Sequence, residues 1–218
     1  MDTDQVYALV AAGIILLIGF PIHEFSHAFA ADRLGDRTAR YQGRLSLDPR
    51  RHFDPLGGFM LIITSIAFLM PLGWAKPTPV NPRNLAHGHR GMAIVALAGP
   101  ASNLVMAAVA ALSVRLIDAS PVAQAAMADG GIARAVFGVV IYIVFINLIL
   151  FIFNLLPIPP LDGWSVLKGL VSPRTAWQLG QVEQYGVFLL IALLFFGGRI
   201  ILPIAETLFA LLTGRPVG

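Results

Sequence analysis

Charged residues are scarce in this chain, and cysteine is absent. Only 12% of the 218 residues are Asp, Glu, Lys or Arg, whereas a water-soluble domain carries about a quarter. That shortage leaves too little polar surface to coat a soluble globule of this size. The absence of cysteine excludes a disulfide framework and a thiolate metal site.

Long uncharged runs take the place of the missing charge. Four of them hold 18, 21, 24 and 22 residues, namely Gln5–Ile22, Pro55–Ala75, Gly91–Val114 and Ala135–Leu156. A helix needs about 20 apolar residues to cross the hydrocarbon core of a bilayer. The sequence therefore predicts an all-α polytopic membrane protein, a single domain over 1–218 with a bundle of about five to six transmembrane helices. The first run lacks the basic start of a cleaved signal peptide, so it is expected to remain as a span.

The predicted helices cover about 5–31, 91–117, 134–156 and 184–212, and a further apolar element lies at 55–75. The last of these helices is interrupted by Gly197, Gly198 and Pro203. It can therefore be one kinked span or two short pieces, and the sequence leaves this open.

The placement of arginine predicts the orientation in the membrane. Loop 32–54 carries six arginines, whereas loop 118–133 carries no Lys or Arg, so the former is expected in the cytoplasm. Loop 73–90 is also basic, which puts both flanks of element 55–75 on one side. That element is therefore expected to be re-entrant or membrane-associated, the alternative being an ordinary span. Gly57, Gly58, Pro71 and Gly73 are expected to help it turn.

The composition also bears on partners and source. The net charge of +3 sits mostly in short loops, which suits orientation in a lipid bilayer and predicts no nucleic-acid partner. Thirteen arginines against two lysines, with abundant alanine, indicate a bacterial cell membrane as the location.

A metal-binding pattern lies near the end of the first apolar helix, where the sequence reads His23-Glu24-Phe25-Ser26-His27. Two histidines four residues apart share a helical face, so both imidazoles can reach one zinc ion. Glu24 is the next residue after His23 on the helix, where it can accept a proton from the attacking water. Ionisable groups inside a membrane helix are costly, which favours a metal site over a structural hydrogen-bond cluster.

A catalytic zinc site needs a third protein ligand, and Asp162 is the candidate. It follows Pro157, Pro159 and Pro160, which must end the helix 134–156. If element 55–75 returns to its starting side, that helix ends at the same depth as the histidines. The alternative for Asp162 is an ordinary surface loop. Two imidazoles and one carboxylate suit one Zn²⁺ per chain best.

Three motifs together resemble the site-2 protease family of intramembrane zinc metalloproteases. They are His23–His27, the run Ala98-Gly99-Pro100-Ala101-Ser102-Asn103, and Asn154 with Pro157 and Asp162-Gly163. The stretches Gly43–Pro49 and Asp54–Gly57, with Gly73–Pro77 and Val80–Pro82, are similar to a compact branch of that family. The likeness covers about residues 15–165. The chain has no room for a PDZ insertion.

The resemblance implies roles for particular residues. It implies that His23, His27 and Asp162 bind zinc, and that Glu24 is the catalytic base. It implies that Asn154 helps at the active site, and that the substrate is a transmembrane segment cut near the cytosolic face. The chain is thus expected to be a zinc endopeptidase of regulated intramembrane proteolysis, with membrane proteins as substrates.

Other polar residues could have functional or purely structural roles. Asn103 lies on helix 91–117 and is expected either to support the site or to make an interhelical hydrogen bond. Asn147 is expected to be structural. His52, His87 and His89 lie in loops among charges and prolines, and are expected to be solvated.

Three other functions remain in view. A prenyl-protein endopeptidase pairs its two histidines with a distant Glu, but Glu183 and Glu206 have no comparable setting. A metal transporter would need several polar groups along a pore, and these helices offer few. A catalytically silent membrane chaperone would be expected to lose Glu24, which is present.

Overall fold

Residues 2–68 and 73–216 are described by a computed structural model, apart from the side chains of residues 65–68. All regular structure in these ranges is helical, without a β-strand, which confirms the all-α prediction. The helices are α1 (Thr3–Ile14), α2 (Phe20–Arg33), α3 (Thr38–Tyr41), α4 (Pro49–His52), α5 (Pro55–Phe68), α6 (His89–Asp118), α7 (Pro121–Ala128), α8 (Gly131–Leu155), α9 (Asp162–Leu170), α10 (Pro173–Gly180), α11 (Gly186–Phe196) and α12 (Gly198–Thr213).

Four helical stretches within the described ranges are long and apolar enough to cross a membrane: Thr3–Arg33, His89–Asp118, Gly131–Leu155 and Pro173–Phe196. The first joins α1 and α2 through a π-helical turn, and the last runs from α10 through α11. The first three agree with the predicted helices 5–31, 91–117 and 134–156 to within a turn. Within the described ranges four is fewer than the predicted five to six, because the 14 described residues of α5 and the 16 residues of α12 are fewer than the roughly 20 needed.

The predicted segment 184–212 contains two helices that meet at Gly197. This residue has a φ of −66° and a ψ of −26°, so the backbone stays helical through the junction between α11 and α12. Ile201, Ala205 and Phe209 of α12 belong to the main apolar cluster, which α6 and α8 share. In contrast, only 6% of the stretch that contains α11 is buried, so this helix faces outward.

Helices α2 and α6 run in opposite directions. His27 contacts Val95, whereas His23, one turn earlier on α2, contacts Asn103, two turns later on α6. The chain has therefore returned to the same end of the bundle between the end of α2 and the start of α6.

Helix α8 runs in the same direction as α1 and α2. Near their beginnings, a Cβ atom on Gly138 would lie 2.4 Å from the Tyr7 ring. Further along, Ile15 and Phe20 share a buried cluster with Ile146 and Leu150. Helix α8 therefore ends at the level of the α2 histidines, as the depth argument for Asp162 requires.

The two ends of the segment between α2 and α6 are tied together. The Ala86 N–H donates to the Leu34 carbonyl over 2.7 Å. The carboxylate of Asp36, which is fully buried, accepts from the Asn81 N–H at 2.7 Å and from the Asn84 amide at 3.1 Å. The intervening chain is thus an excursion that begins and ends at one place.

Within this excursion, α5 packs on α1 and the chain then comes back alongside it. Leu61 joins the cluster formed by Ala11 and Ile15 of α1 and its continuation. A Cβ atom on Gly57 of α5 would lie only 2.0 Å from the carbonyl oxygen of Trp74, which follows α5 in the chain. The returning, non-helical segment therefore lies directly on the helix. Positions 69–72 of the predicted element 55–75, with Pro71, lie outside the described residues. Its embedding in the membrane stays a prediction.

Candidate metal centre

The two histidines of α2 lie one turn apart and are buried. Their exposed fractions are 9% for His23 and 7% for His27, and their Nε2 atoms are 3.1 Å apart. The rings meet edge to face at 4.7 Å. Both side chains therefore aim the same ring atom at one point, as the i, i+4 spacing predicts.

The other nitrogen of each ring makes a hydrogen bond to α6. His23 Nδ1 lies 2.6 Å from the Asn103 side-chain oxygen, and His27 Nδ1 lies 2.7 Å from the Val95 carbonyl oxygen. Because each partner is an oxygen that accepts, each Nδ1 carries the hydrogen and donates it. A neutral ring then has a free lone pair on Nε2, which is the form that binds a metal.

Asp162 reaches the histidines because the chain folds back after α8. Leu156 leaves the helix with φ −62° and ψ 135°, and Asp162 then starts α9. A Cβ atom on Gly163 would lie 2.2 Å from the Leu155 carbonyl oxygen, so glycine is needed here for close packing against the end of α8. The φ of Gly163 is not positive, so this close approach, and not a left-handed backbone, requires the glycine. As a result, Asp162 Oδ2 lies 3.3 Å from Nε2 of each histidine.

The three atoms fit one face of a zinc coordination tetrahedron. Zinc bonds of about 2.0–2.2 Å in tetrahedral geometry separate neighbouring ligand atoms by about 3.3–3.6 Å. The observed separations are 3.1, 3.3 and 3.3 Å. Among the described residues, His23, His27 and Asp162 are the group of this kind that could hold a metal ion.

The charges at this point also call for a cation. Asp162 Oδ2 is buried, and no described group donates a hydrogen bond to it. Two imidazole lone pairs and a carboxylate oxygen would repel one another at these distances without a positive charge among them. The donor set and its protonation therefore fit Zn²⁺.

Helix α6 approaches this centre so closely that it needs a glycine. A Cβ atom on Gly99 would lie 2.3 Å from His27 Nε2 and 2.7 Å from His23 Cε1. Gly99 lies one turn after Val95, whose carbonyl holds His27. The same helix thus supplies both hydrogen-bond acceptors and the space that the rings occupy.

Glu24 is held by a residue that sequence reasoning missed. Its side chain is 8% exposed, and its Oε2 accepts the Thr78 N–H over 2.7 Å. The Thr78 hydroxyl donates to the Glu24 main-chain carbonyl over 2.9 Å. A main-chain N–H has no residue-type signature, and the nearest signal was that Thr78 lies between Gly73–Pro77 and Val80–Pro82, which carry part of the resemblance.

The segment that carries Thr78 is fastened to the preceding loop. Arg44 donates to the Lys76 and Pro77 carbonyls over 3.1 and 3.0 Å, and the Lys76 N–H donates to the His52 carbonyl over 2.8 Å. The expectation that His52 is solvated is wrong, because this residue is 1% exposed. Its ring packs inside the loop, with Nε2 2.7 Å from the Ser46 carbonyl oxygen.

The remaining predicted residues make local contacts. The Asn154 amide donates to the Leu150 carbonyl of its own helix over 3.0 Å, so its role at the site stays a prediction. The Asn147 amide does the same with Ile143 over 2.9 Å. Asn103, in contrast, makes the interhelical bond to His23 described above, and is 1% exposed.

Comparisons with known proteins agree with this arrangement. The sequence model of peptidase family M50 matches residues 118–197. YwhC of Bacillus subtilis (strain 168), which is named a zinc metalloprotease, is 36% identical over 192 residues, covering 87% of this chain and 83% of that protein. Rip2 of Mycobacterium tuberculosis (strain ATCC 25618 / H37Rv) carries the same kind of name and is 34% identical, covering 87% of this chain and 68% of its own. Rip2 of Mycolicibacterium smegmatis is 33% identical, covering 87% and 67%. No solved structure matches the chain.

Proposed function

We infer the function of this chain from its family, since it belongs to peptidase family M50, the site-2 protease family, and is a zinc metalloprotease of the membrane. From this membership and the geometry of the centre, we propose that it hydrolyses a peptide bond in or near the transmembrane segment of membrane-protein substrates. The observation that carries the proposal is the triangle of His23, His27 and Asp162 at the end of membrane-crossing helices.

His23, His27 and Asp162 would hold the zinc ion, and Glu24 would act as general base. When bound, zinc supplies Lewis acidity, which polarises the scissile carbonyl and favours ionisation of water. Glu24 takes a proton from the attacking water, whose oxygen forms a bond to the carbonyl carbon. The carbon–nitrogen bond of the peptide then breaks, and Glu24 delivers the proton to the leaving amine.

The location of these residues supports a membrane-embedded substrate. His23 and His27 lie within the apolar stretch Thr3–Arg33, and Asp162 lies seven residues after the end of Gly131–Leu155. All three lie at one end of the bundle, since α1, α2 and α8 run in the same direction. A peptide bond that reaches them must therefore come from a segment at membrane depth or just beyond it.

The same end of the bundle carries the arginine-rich loop. Loop 32–54 follows α2 directly and holds six arginines, so the positive-inside rule puts the active site toward the cytoplasm. The opposite end carries loop 118–133 without Lys or Arg. We therefore propose cleavage near the cytosolic face.

A helical substrate must unwind locally before its peptide bond is accessible. Residues 74–81 are without helix or strand and run past Glu24, so their main chain can pair with an unwound substrate strand. Asn154 is the proposed amide donor for the substrate or the oxyanion, and it would exchange its bond to Leu150 for that contact. Substitution of Pro77 and Pro79 without loss of cleavage would count against the pairing role of this segment.

The test uses purified protein in lipid nanodiscs with a panel of single-span substrates. Each substrate is offered in the bilayer and, separately, as a soluble peptide with the same juxtamembrane sequence. Product masses locate the cut. The proposal expects cleavage within or near the span, and loss of cleavage with a zinc chelator. Equal cleavage of the soluble peptides, or cuts only in remote loops, would contradict a membrane-segment substrate.

A further inference from the structure

Thr78 makes two hydrogen bonds to Glu24. Its N–H donates to Glu24 Oε2 over 2.7 Å, and its hydroxyl donates to the Glu24 carbonyl over 2.9 Å. The flanking residues, Pro77 and Pro79, have no N–H. The single main-chain donor of this tripeptide is therefore the one that contacts the Glu24 carboxylate.

Contacts outside α2 also hold the segment that carries Thr78. Before it, Arg44 holds the Lys76 and Pro77 carbonyls. After it, the Asn81 N–H donates to the buried carboxylate of Asp36. The donor that meets Glu24 is thus also fixed to the loop 34–54, through Arg44 and Asp36.

A carboxylate in an apolar helix needs such a donor. Burial without a hydrogen bond is costly, and a glutamate side chain can adopt many rotamers. A bond from Thr78 to Oε2 restricts these rotamers and leaves Oε1 to face the water whose proton it accepts. The hydroxyl bond to the Glu24 carbonyl keeps the two segments in register.

We propose that Thr78 is a positioning residue for the general base, acting through its main-chain N–H on the Glu24 carboxylate. This rests on the proposed function, in which Glu24 accepts the proton. The competing interpretation is that Thr78 only fastens segment 74–81 to α2. The two differ because a positioning role changes kcat, whereas a fastening role changes folding or substrate binding.

The kinetic test compares three variants of Thr78. Thr78→Pro removes both donors in a tripeptide that already favours the extended backbone of proline. We expect kcat to fall about ten- to hundred-fold, because a hydrogen bond to a charged group is lost, while KM, zinc content and Tm stay close to wild type. In Thr78→Val, which loses only the hydroxyl, we expect a smaller fall in kcat than in Thr78→Pro. In Thr78→Ser, which keeps both donors, we expect kcat to stay close to that of the wild type.

The matched control is Thr207→Val. Thr207 is exposed, and its hydroxyl makes an ordinary bond to the Pro203 carbonyl over 2.8 Å, so its removal should leave kcat unchanged. Wild-type kcat in Thr78→Pro would overturn the proposal. The proposal would also be overturned if every fall in kcat came with a proportionate fall in zinc content or in Tm, in Thr78→Val as well as in Thr78→Pro.

A second test does not depend on activity. Because Pro77 and Pro79 have no N–H, two overlapping fragments that start at the same residue and end just before and just after the tripeptide 77–79 differ only in the Thr78 amide, so their difference in hydrogen exchange reports the bond. We expect slow exchange in the wild-type protein and exchange about ten- to hundred-fold faster in Glu24→Ala. Equal exchange in the two proteins would overturn the proposal, whatever the kinetics.

Different results would contradict the proposed function and the positioning role of Thr78. If the wild-type protein cleaves no substrate, or if Glu24→Gln cleaves like wild type, the proposed function fails and the positioning role falls with it. If Glu24→Gln is inactive but Thr78→Pro is fully active, the proposed function stands and the role of Thr78 is wrong.

Discussion

Replacing Gly99 with alanine adds one methyl group directly against the metal ligands. The new Cβ atom would lie 2.3 Å from His27 Nε2 and 2.4 Å from His27 Cε1. Carbon and nitrogen atoms in ordinary contact are about 3.5–4.0 Å apart. The ring or the helix must therefore retreat by about 1 Å.

That displacement is large for a metal site. Bond lengths in a fitting site hold to within about 0.2 Å, and changes that only loosen the support of a ligand cost about ten- to hundred-fold in affinity. His27 cannot retreat freely, because its Nδ1 is held by the Val95 carbonyl at 2.7 Å. We therefore expect zinc affinity in Gly99→Ala to fall by about a hundred-fold, or about 2.7 kcal/mol.

The assay is a competition titration of zinc against a chromophoric chelator in detergent. Gly13→Ala is the matched control, because it also replaces a helical glycine but finds nothing within 4 Å of the new methyl group. Both variants gain the same helix propensity, so only the contact with the ligands differs. Wild-type affinity in Gly99→Ala would refute the close packing of α6 on the histidines.

Two further outcomes follow from the contacts around the centre and the excursion. Asn103→Leu leaves the buried His23 Nδ1–H without its acceptor, so the same titration should show zinc affinity about ten- to hundred-fold lower, with Asn103→Asp less affected. Burial raises the pKa of the Asp36 carboxyl, but hydrogen bonds from Thr38, Asn81 and Asn84 outweigh this and hold that pKa below its ordinary 3.8. The contribution of this carboxylate to stability is therefore complete above that ordinary value and is lost as pH falls through the lower folded pKa. Thermal unfolding between pH 7 and about pH 3 should show a steeper loss for wild type than for Asp36→Asn, and equal pH dependence would contradict this assignment.

The group that could hold a metal ion was predicted from the sequence because its signals are local. His23 and His27 show a helical spacing within an apolar run, and the prolines before Asp162 show where α8 must end. The topology then followed from the arginines, since only a returning excursion between α2 and α6 brings Asp162 to the histidines. The helix directions in the structure agree with that reasoning.

The supporting contacts could not be predicted in the same way. Val95 contributes a carbonyl and Thr78 an N–H, and every residue has such groups. The burial of His52 depends on a loop that folds round it, which composition does not reveal. Gly99 could be recognised as part of a motif. The requirement for glycine, however, comes from the close approach of α6 to α2, and these helices are far apart in sequence.

The boundaries of the last segment depended on packing as well. The apolar run 184–212 gives no signal for which part joins the bundle. In the structure α12 packs on α6 and α8 through Phe209 and its neighbours, whereas α11 is mostly exposed and touches this cluster through Leu193. Packing partners distant in sequence decide this division.

The most direct test of the account is a paired measurement on wild type and Glu24→Gln in lipid nanodiscs. Bound zinc per chain and cleavage of a single-span substrate are determined on the same samples. The account predicts about one zinc in both proteins, since Glu24 is not a ligand, and cleavage by wild type alone. Cleavage by Glu24→Gln at the wild-type rate, or wild-type protein that binds no zinc, would contradict it.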